Sequence, residues 1–430
     1  MRGVRSLNDL PFLIWCHHNA SARWIEALTK PLAARRAPTA APSPPESVQV
    51  SKLLNGLVIT SLENYSPFSN VGVFVKAGSR YDTLENQGVS HVLRLAAKLT
   101  TKGASAFKIC RGVEALGGSL SVTSSTETLA YTANCLRDDL VTTAQDVRPW
   151  EVEELTSRVK VDKAVAQQCP LIGVIEKLHE AAYKTALSNS LYCPDNMVGR
   201  ISPKQLQSFV QDNCTTGRMA LVGLGVLRQV GEGFLSVRSG AGAPVVKSVY
   251  RGGELRVQNH EDLVHAVIAS DGGVTGSVEA DAFSVLQRIL GTGMHSETVT
   301  NVEWLSFRPQ LFGVYTIAQA ASAAEVIKAS VAQVRAAAEG NVSEADISRA
   351  KSQVKAEYLM SVEGSDGLME EIGAQALNTA AYQLPDTVLQ AIDTITTEDV
   401  VKVTCKKNVD AKKTMAASGH LVNTPFMDEV

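Results

Sequence analysis

The stretch GGELRVQNHEDLVHAVIASDGGVTGSVEADAFSVLQRILGTG, residues 252–293, decides the fold because it repeats an order already used upstream. It reads strand, strand, turn and then helix. LFGVYTIAQAA, residues 311–321, supplies a later strand ahead of a long helix. The same order runs through residues 56–135 without close identity, so the chain reads as an internal duplication.

In the first copy, KLLNGLVITSLENYSPFSNVGVFVKAG (52–78) holds two β-rich runs, 57–62 and 70–77, around a Ser-Pro turn. A helix is expected to start near Gln87, with Val92, Leu95, Ala96 and Leu99 as its apolar stripe. GVEALGGSLSVTSSTETLAYTANCL (112–136) then gives a helix end, a Gly117-Gly118 turn and two more strands. In the second copy, Ser322 and Glu325 predict a capping box, and Gly340 closes that helix. Ser343 and Asp346 cap the next, whose stripe is Ile347, Ala350, Val354 and Tyr358 ahead of Gly364. Each half is therefore expected to be a sheet with its helices packed on it, and the class is α+β.

The 430 residues exceed one ordinary core and suggest two domains. We expect boundaries at 1–46 (leader and Pro/Ala-rich linker), 47–235 (first domain), 236–249 (linker, SVRSGAGAPVVKS in its main part) and 250–430 (second domain). Hydrophobic residues make up 45%, charged residues 20% and the net charge is -3, so no basic surface argues for nucleic acid. Seven cysteines are scattered without one Cys-x-x-Cys, which disfavours a zinc knuckle, a redox motif or a disulfide framework. No apolar run reaches the length of a membrane span.

The first 43 residues differ in composition. Arg2, Arg5, Arg23, Lys30, Arg35 and Arg36 stand against only Asp9 and Glu26, and RRAPTAAPSPPES (35–47) follows. Arg-rich and acid-poor, this is the pattern of a mitochondrial presequence ending in a linker that cannot stay helical. His17-His18 beside Cys16 is too isolated to count as a metal site.

GVSHVLRLAAKL (88–99) sets the chemical question. A catalytic zinc needs two ligands one helical turn apart and a carboxylate base between them. Here His91 is followed by Leu95 at the second ligand position and by Arg94, a permanent cation, at the base position. His91 then reads as a packed or hydrogen-bonded histidine. HEAAY (179–183) ends in Tyr183 where a second histidine is needed. GLGVLR (223–228) has Arg228 where a phosphate-binding loop needs glycine, so it reads as a strand end. The residues alone describe a duplicated scaffold with no evident chemistry.

LNGLVITSLENYSPFSNVGVFVKAGSRYD (54–82), HVLRLAAKLTTKGASAFKICRGVEALGGSLSVT (91–123), RMALVGLGV (218–226), YRGGELR (250–256), AFSVLQRILGTG (282–293) and MAASGHLVNTPFMDEV (415–430) resemble the family of the mitochondrial processing peptidases and pitrilysin. Within it they are similar to the non-peptidase core-subunit branch found in ubiquinol-cytochrome c oxidoreductase, respiratory complex III. The family's zinc helix is an inverted His-x-x-Glu-His. Carried over, His91 matches the first histidine, Arg94 the glutamate and Leu95 the second histidine. Counted from Glu151, the third ligand falls on Arg158, or on Asp162 if the frame shifts one turn.

The resemblance implies a catalytically degenerate scaffold subunit, with no cofactor or metal of its own. It would support the complex during electron transfer from ubiquinol to cytochrome c, peripheral on the matrix side of the inner membrane. The implied partners are a companion core subunit, cytochrome b, cytochrome c1 and the Rieske protein, in a dimeric complex.

Three other readings stay open: an active processing peptidase, a non-catalytic presequence-binding subunit of such a peptidase, and a free matrix protein that binds peptides. The second carries a long glycine-rich loop where this chain offers only Gly291 and Gly293. Two segments depart from the family pattern: VTTAQDVRP (141–149), where a further helix is expected on the first sheet, and HSETVTNVEWLSFRPQ (295–310). A chain short of that helix should leave sheet surface uncovered.

Overall fold

Two mixed sheets organise the computed structural model, which describes residues 47–430 apart from 102–103, 116, 137–148, 226–236, 243, 245–246, 273–276, 292–298, 308–310 and 406–410. The presequence, His17-His18 and most of VTTAQDVRP lie outside the described residues. The first sheet is built from β1 (Gln49–Lys52), β2 (Val58–Leu62), β3 (Phe68–Val75), β4 (Ser119–Ser124), β5 (Leu129–Leu136) and β6 (Met219–Leu224). The second uses β7 (Gly253–Gln258), β8 (Leu263–Asp271), β9 (Val299–Phe307), β10 (Leu311–Gln319) and β11 (Lys413–Gly419).

Their orders are β1-β2-β6-β3-β5-β4 and β7-β11-β8-β10-β9. In both, the first strand of the repeat lies parallel to its last, β2 on β6 and β7 on β11, and the remaining neighbours are antiparallel. The sheets therefore match strand for strand, with β1 the one addition. The atypical segment 295–310 contributes β9, the edge strand that answers β4 in the first half.

The helices are α1 (Val89–Ala96), α2 (Ala106–Ala115), α3 (Pro149–Gln167), α4 (Pro170–Ala182) and α5 (Pro203–Asn213) in the first half. The second half has α6 (Val278–Leu290), α7 (Ala323–Ala338), α8 (Glu344–Glu363), α9 (Ser365–Thr379), α10 (Pro385–Thr394) and α11 (Thr397–Thr404).

The central strands are buried on both faces, and β8 hides every residue from Val264 to Ser270. Val264, Ala266 and Ile268 meet Leu286 of α6, Ile327 of α7 and Val400 of α11, whereas Val267 and Ala269 meet Val174 and Leu178 of α4. On β3, Val71 and Val75 meet α1, α3 and α5, and Phe74 on the opposite face meets Met369, Ile372 and Ala376 of α9.

Helix cover is thus exchanged: α4, from the first half, lies on the second sheet, and α9, from the second half, lies on the first. Each half is a sheet with helices packed on it, as expected, and one helix of each half also lies on the other sheet. A sheet apolar on two faces needs two layers; in each half the local helices form one, and the other comes across. Gly373 lets α9 approach, since a Cβ there would sit 2.4 Å from the Phe74 ring. All of this belongs to one compact unit, Glu46–Val430.

Of the helix ends marked in the second copy, those at Ser343 and Gly340 form as expected and the one at Ser322 does not. Ser343 Oγ accepts from Asp346 N at 3.1 Å as expected, and Gly340 adopts φ +86° behind α7. Ser322 makes no capping box: its hydroxyl donates to the Gln319 carbonyl at 3.3 Å, because its backbone is already helical (φ -105°, ψ -2°). The linker is tied down, with Thr216 N donating to Arg238 O at 3.1 Å and Gly217 N to Gly240 O at 3.0 Å.

Candidate functional site

Helix α1 begins at Gly88, whose φ of +85° turns the chain out of the preceding loop. Asp82 holds this start: one carboxylate oxygen accepts from Gly88 N at 2.8 Å and from Ser90 Oγ at 3.1 Å. Burial pushes the Asp82 carboxyl up to about 7, against these hydrogen bonds. The first turn of α1 is pinned this way, and His91 follows directly, fully buried.

His91 Nε2 lies 2.9 Å from Asp162 Oδ2, and its Nδ1 accepts from the Cys193 backbone N–H at 3.1 Å. A ring nitrogen that accepts a backbone N–H carries no proton, so in neutral His91 the proton sits on Nε2 and points at Asp162. Burial lowers the His91 pKa below the usual imidazole value, and the charge of Arg94 adds to that. Arg94 Nη2 donates to the same Asp162 oxygen at 2.5 Å. Burial alone raises the Asp162 carboxyl, but the hydrogen bonds from His91 and Arg94 outweigh it and hold the group below its usual value. Tyr192 stands edge-on to His91, ring centroids 5.4 Å apart. Lys163, paired with Asp195 at 2.6 Å, adds a second cation nearby.

The structure therefore brings together His91, Arg94 and Asp162. Arg158 is solvent-exposed on α3 and does not join them, and Glu151 sits in the first turn of that helix. Leu95 is part-buried against the first-sheet core.

These residues do not fit a zinc ion. The Nε2 lone pair that a metal would need is replaced by a proton given to Asp162, the second ligand position is a packed leucine, and a guanidinium contacts the one carboxylate present. Among the described residues no three His, Cys, Asp or Glu side chains converge. Among the described residues the carboxylate at this cluster is Asp162, and it is committed to two donors. What the arrangement does is tie α1 to α3.

Two contacts had no signal in the sequence: Cys193 lies 102 positions from the histidine it supports, and Tyr192 comes from the same loop. His179 of HEAAY is a core residue on α4, its Nδ1 donating to Ile175 O at 2.9 Å and its ring stacked on Tyr183. GLGVLR opens as the end of β6, with Gly225 at φ +65°, and its last three residues lie outside the described part. Burial pushes the Cys193 and Cys214 thiols up to about 11, which keeps them protonated. Among the described residues no helix is long and apolar enough to cross a membrane.

Comparison with known proteins adds the following. The model of "Insulinase (Peptidase family M16)" matches residues 57–195, and that of "Peptidase M16 inactive domain" matches 200–354. The chain is 51% identical to "Cytochrome b-c1 complex subunit 2, mitochondrial" of Mus musculus over 92% of its own length and 94% of that protein's. It is 30% identical to "Probable mitochondrial-processing peptidase subunit alpha-2, chloroplastic/mitochondrial" of Arabidopsis thaliana, covering 90% and 85%. A chain of the solved structure "Complex III2 from Candida albicans, Inz-5 bound" superposes with TM-score 0.77 at 17% identity, covering 89% and 98%, a likeness of fold.

Proposed function

This chain belongs to peptidase family M16, and we propose that within it the protein is a non-catalytic core subunit of the mitochondrial cytochrome b-c1 complex, respiratory complex III. The observation that carries this is identity: 51% of aligned positions, over 92% of the chain, are shared with subunit 2 of that complex, against 30% with a processing peptidase subunit. The site supports the non-catalytic reading independently, because a neutral His91 whose Nε2–H donates to Asp162, beside Arg94, has neither a metal ligand nor a base to offer.

As such a subunit it contributes assembly and stability while ubiquinol is oxidised and cytochrome c reduced. It sits peripherally on the matrix side of the inner membrane, delivered by the Arg-rich leader. Its partners are core protein 1, cytochrome b, cytochrome c1 and the Rieske protein, and it holds no cofactor itself. His91, Arg94, Leu95 and Asp162 are the remnant of the family's zinc site, with Asp162 in the frame of the third ligand.

The test is to express the tagged full chain in mouse cells and run solubilised mitochondria on a native gel. Comigration with cytochrome b and core protein 1 is expected. Migration with a processing peptidase catalytic subunit would instead assign it to presequence binding. Zinc at one ion per purified chain, by elemental analysis, would overturn the reading of the site.

A further inference from the structure

Between Lys355 and Lys402 the sequence carries nine aspartates and glutamates and no lysine, arginine or histidine, although the whole chain is nearly balanced at -3. This run folds into the second part of α8, then α9, α10 and the start of α11. Some of its acids are used locally: Glu357 pairs with Arg288, Asp393 with Lys355, and Asp399 caps α11. Glu363, Asp366 and Glu370 are not. All three are exposed at the corner where α8 meets α9, and no ion pair reaches them among the described residues.

The same corner exposes large apolar side chains. Leu359 is 46% and Met360 65% exposed, and α8 buries only Ile347 and Ala350, both in its first half. The corner is tight: a Cβ on Gly367 would stand 1.9 Å from the Ser361 carbonyl oxygen, so the end of α8 and the start of α9 touch. Leu359 and Met360 lie within about one turn of Glu363 on α8, and Asp366 and Glu370 stand one turn apart on α9, so five exposed side chains fall within about two turns of one corner.

In water this combination is doubly unfavourable, since the carboxylates repel one another and the apolar groups stay hydrated. A partner surface with apolar side chains ringed by lysine or arginine relieves both at once. A second copy docking by the same corner would bring acid against acid, and an anionic membrane would be repelled. We propose that the α8–α9 corner is the docking surface for a basic segment, apolar at its centre, of another protein subunit. This rests on the reading of the chain as a subunit of a larger complex.

The test is the full chain with Glu363→Lys, Asp366→Lys and Glu370→Lys together, against a control with Glu153→Lys and Glu154→Lys on exposed positions of α3. The readouts are the melting temperature of the purified chain and the fraction that joins the complex on a native gel. The triple variant is expected to melt with the wild type, within a degree or two, and to lose at least about tenfold of its assembled fraction, while the control assembles normally. If the reversal lowers the melting temperature, the neutral set Glu363→Gln, Asp366→Asn and Glu370→Gln decides, with a smaller loss of assembly expected.

A wild-type chain that assembles beside variants that assemble equally overturns the surface alone. A wild-type chain that joins no complex overturns the subunit reading and this surface with it. Self-association of the purified wild type that the triple variant abolishes, seen by sedimentation, would assign the corner to a second copy and overturn the proposal.

Discussion

Arg94 is a permanent cation one turn along from His91, and its guanidinium occupies the carboxylate that His91 also meets. Asp162 consequently has a mechanical role, accepting from both His91 and Arg94. Asp162→Asn should cost about 1.5–3 kcal/mol, the value of hydrogen bonds to a charged group, read as a lower urea midpoint. An unchanged midpoint would mean that the cluster holds nothing. The Asp162 carboxyl lies below its unfolded value, so its stabilisation is present above about pH 4 and is lost as pH falls through the folded pKa. Asp82 acts with the opposite sign. Its carboxyl is raised from 3.8 to about 7, so the folded state holds a proton that the unfolded state has released, and stability falls as pH rises across that interval. Asp82→Asn keeps an oxygen to accept from Gly88 and Ser90 without ever ionising. Relative to wild type it should gain about 2–3 kcal/mol between pH 5 and pH 8, visible as a melting-temperature difference that grows with pH. A difference independent of pH would count against that titration.

Among the elements, the helix caps show where local sequence governs and where it yields. Thr396 and Asp399 cap α11 reciprocally, the side chain of each accepting from the backbone N–H of the other at 3.2 and 2.9 Å. Ser322 and Glu325 likewise set a hydroxyl and an acid three positions apart, yet no cap forms. The difference is the backbone: Thr396 is extended at ψ 166°, which aims its oxygen at the helix start, while Ser322 has already entered the helical region as the chain leaves β10. Thr396→Ala should therefore cost about 1 kcal/mol and Ser322→Ala only a few tenths, compared by denaturant midpoints in one background. Equal losses would show that the Ser322 cap forms in solution after all.

For the whole molecule, the exchange of α4 and α9 decides how the halves depend on each other. Residues 47–235 include every strand of the first sheet but lack α9, so a fragment with those ends exposes Phe74, Val222 and Leu224, which are buried in the full chain. Each such side chain left in water forfeits about 1.5–3 kcal/mol. The fragment should show no cooperative melting and should bind a hydrophobic dye, whereas the full chain melts as one unit; a sharp transition in the fragment would refute the dependence. The order of elements, the duplication and the α+β class were legible in the sequence. These rest on spacing and residue type, which act within a few positions. Which of Arg158 and Asp162 meets His91, that the Cys193 backbone fixes the ring's tautomer, that Ser322 does not cap, and which helix covers which sheet were decided only by the tertiary structure. The two His91 contacts join residues 71 and 102 positions apart, and at such separations pairing follows from burying two faces of each sheet, a condition no local pattern records.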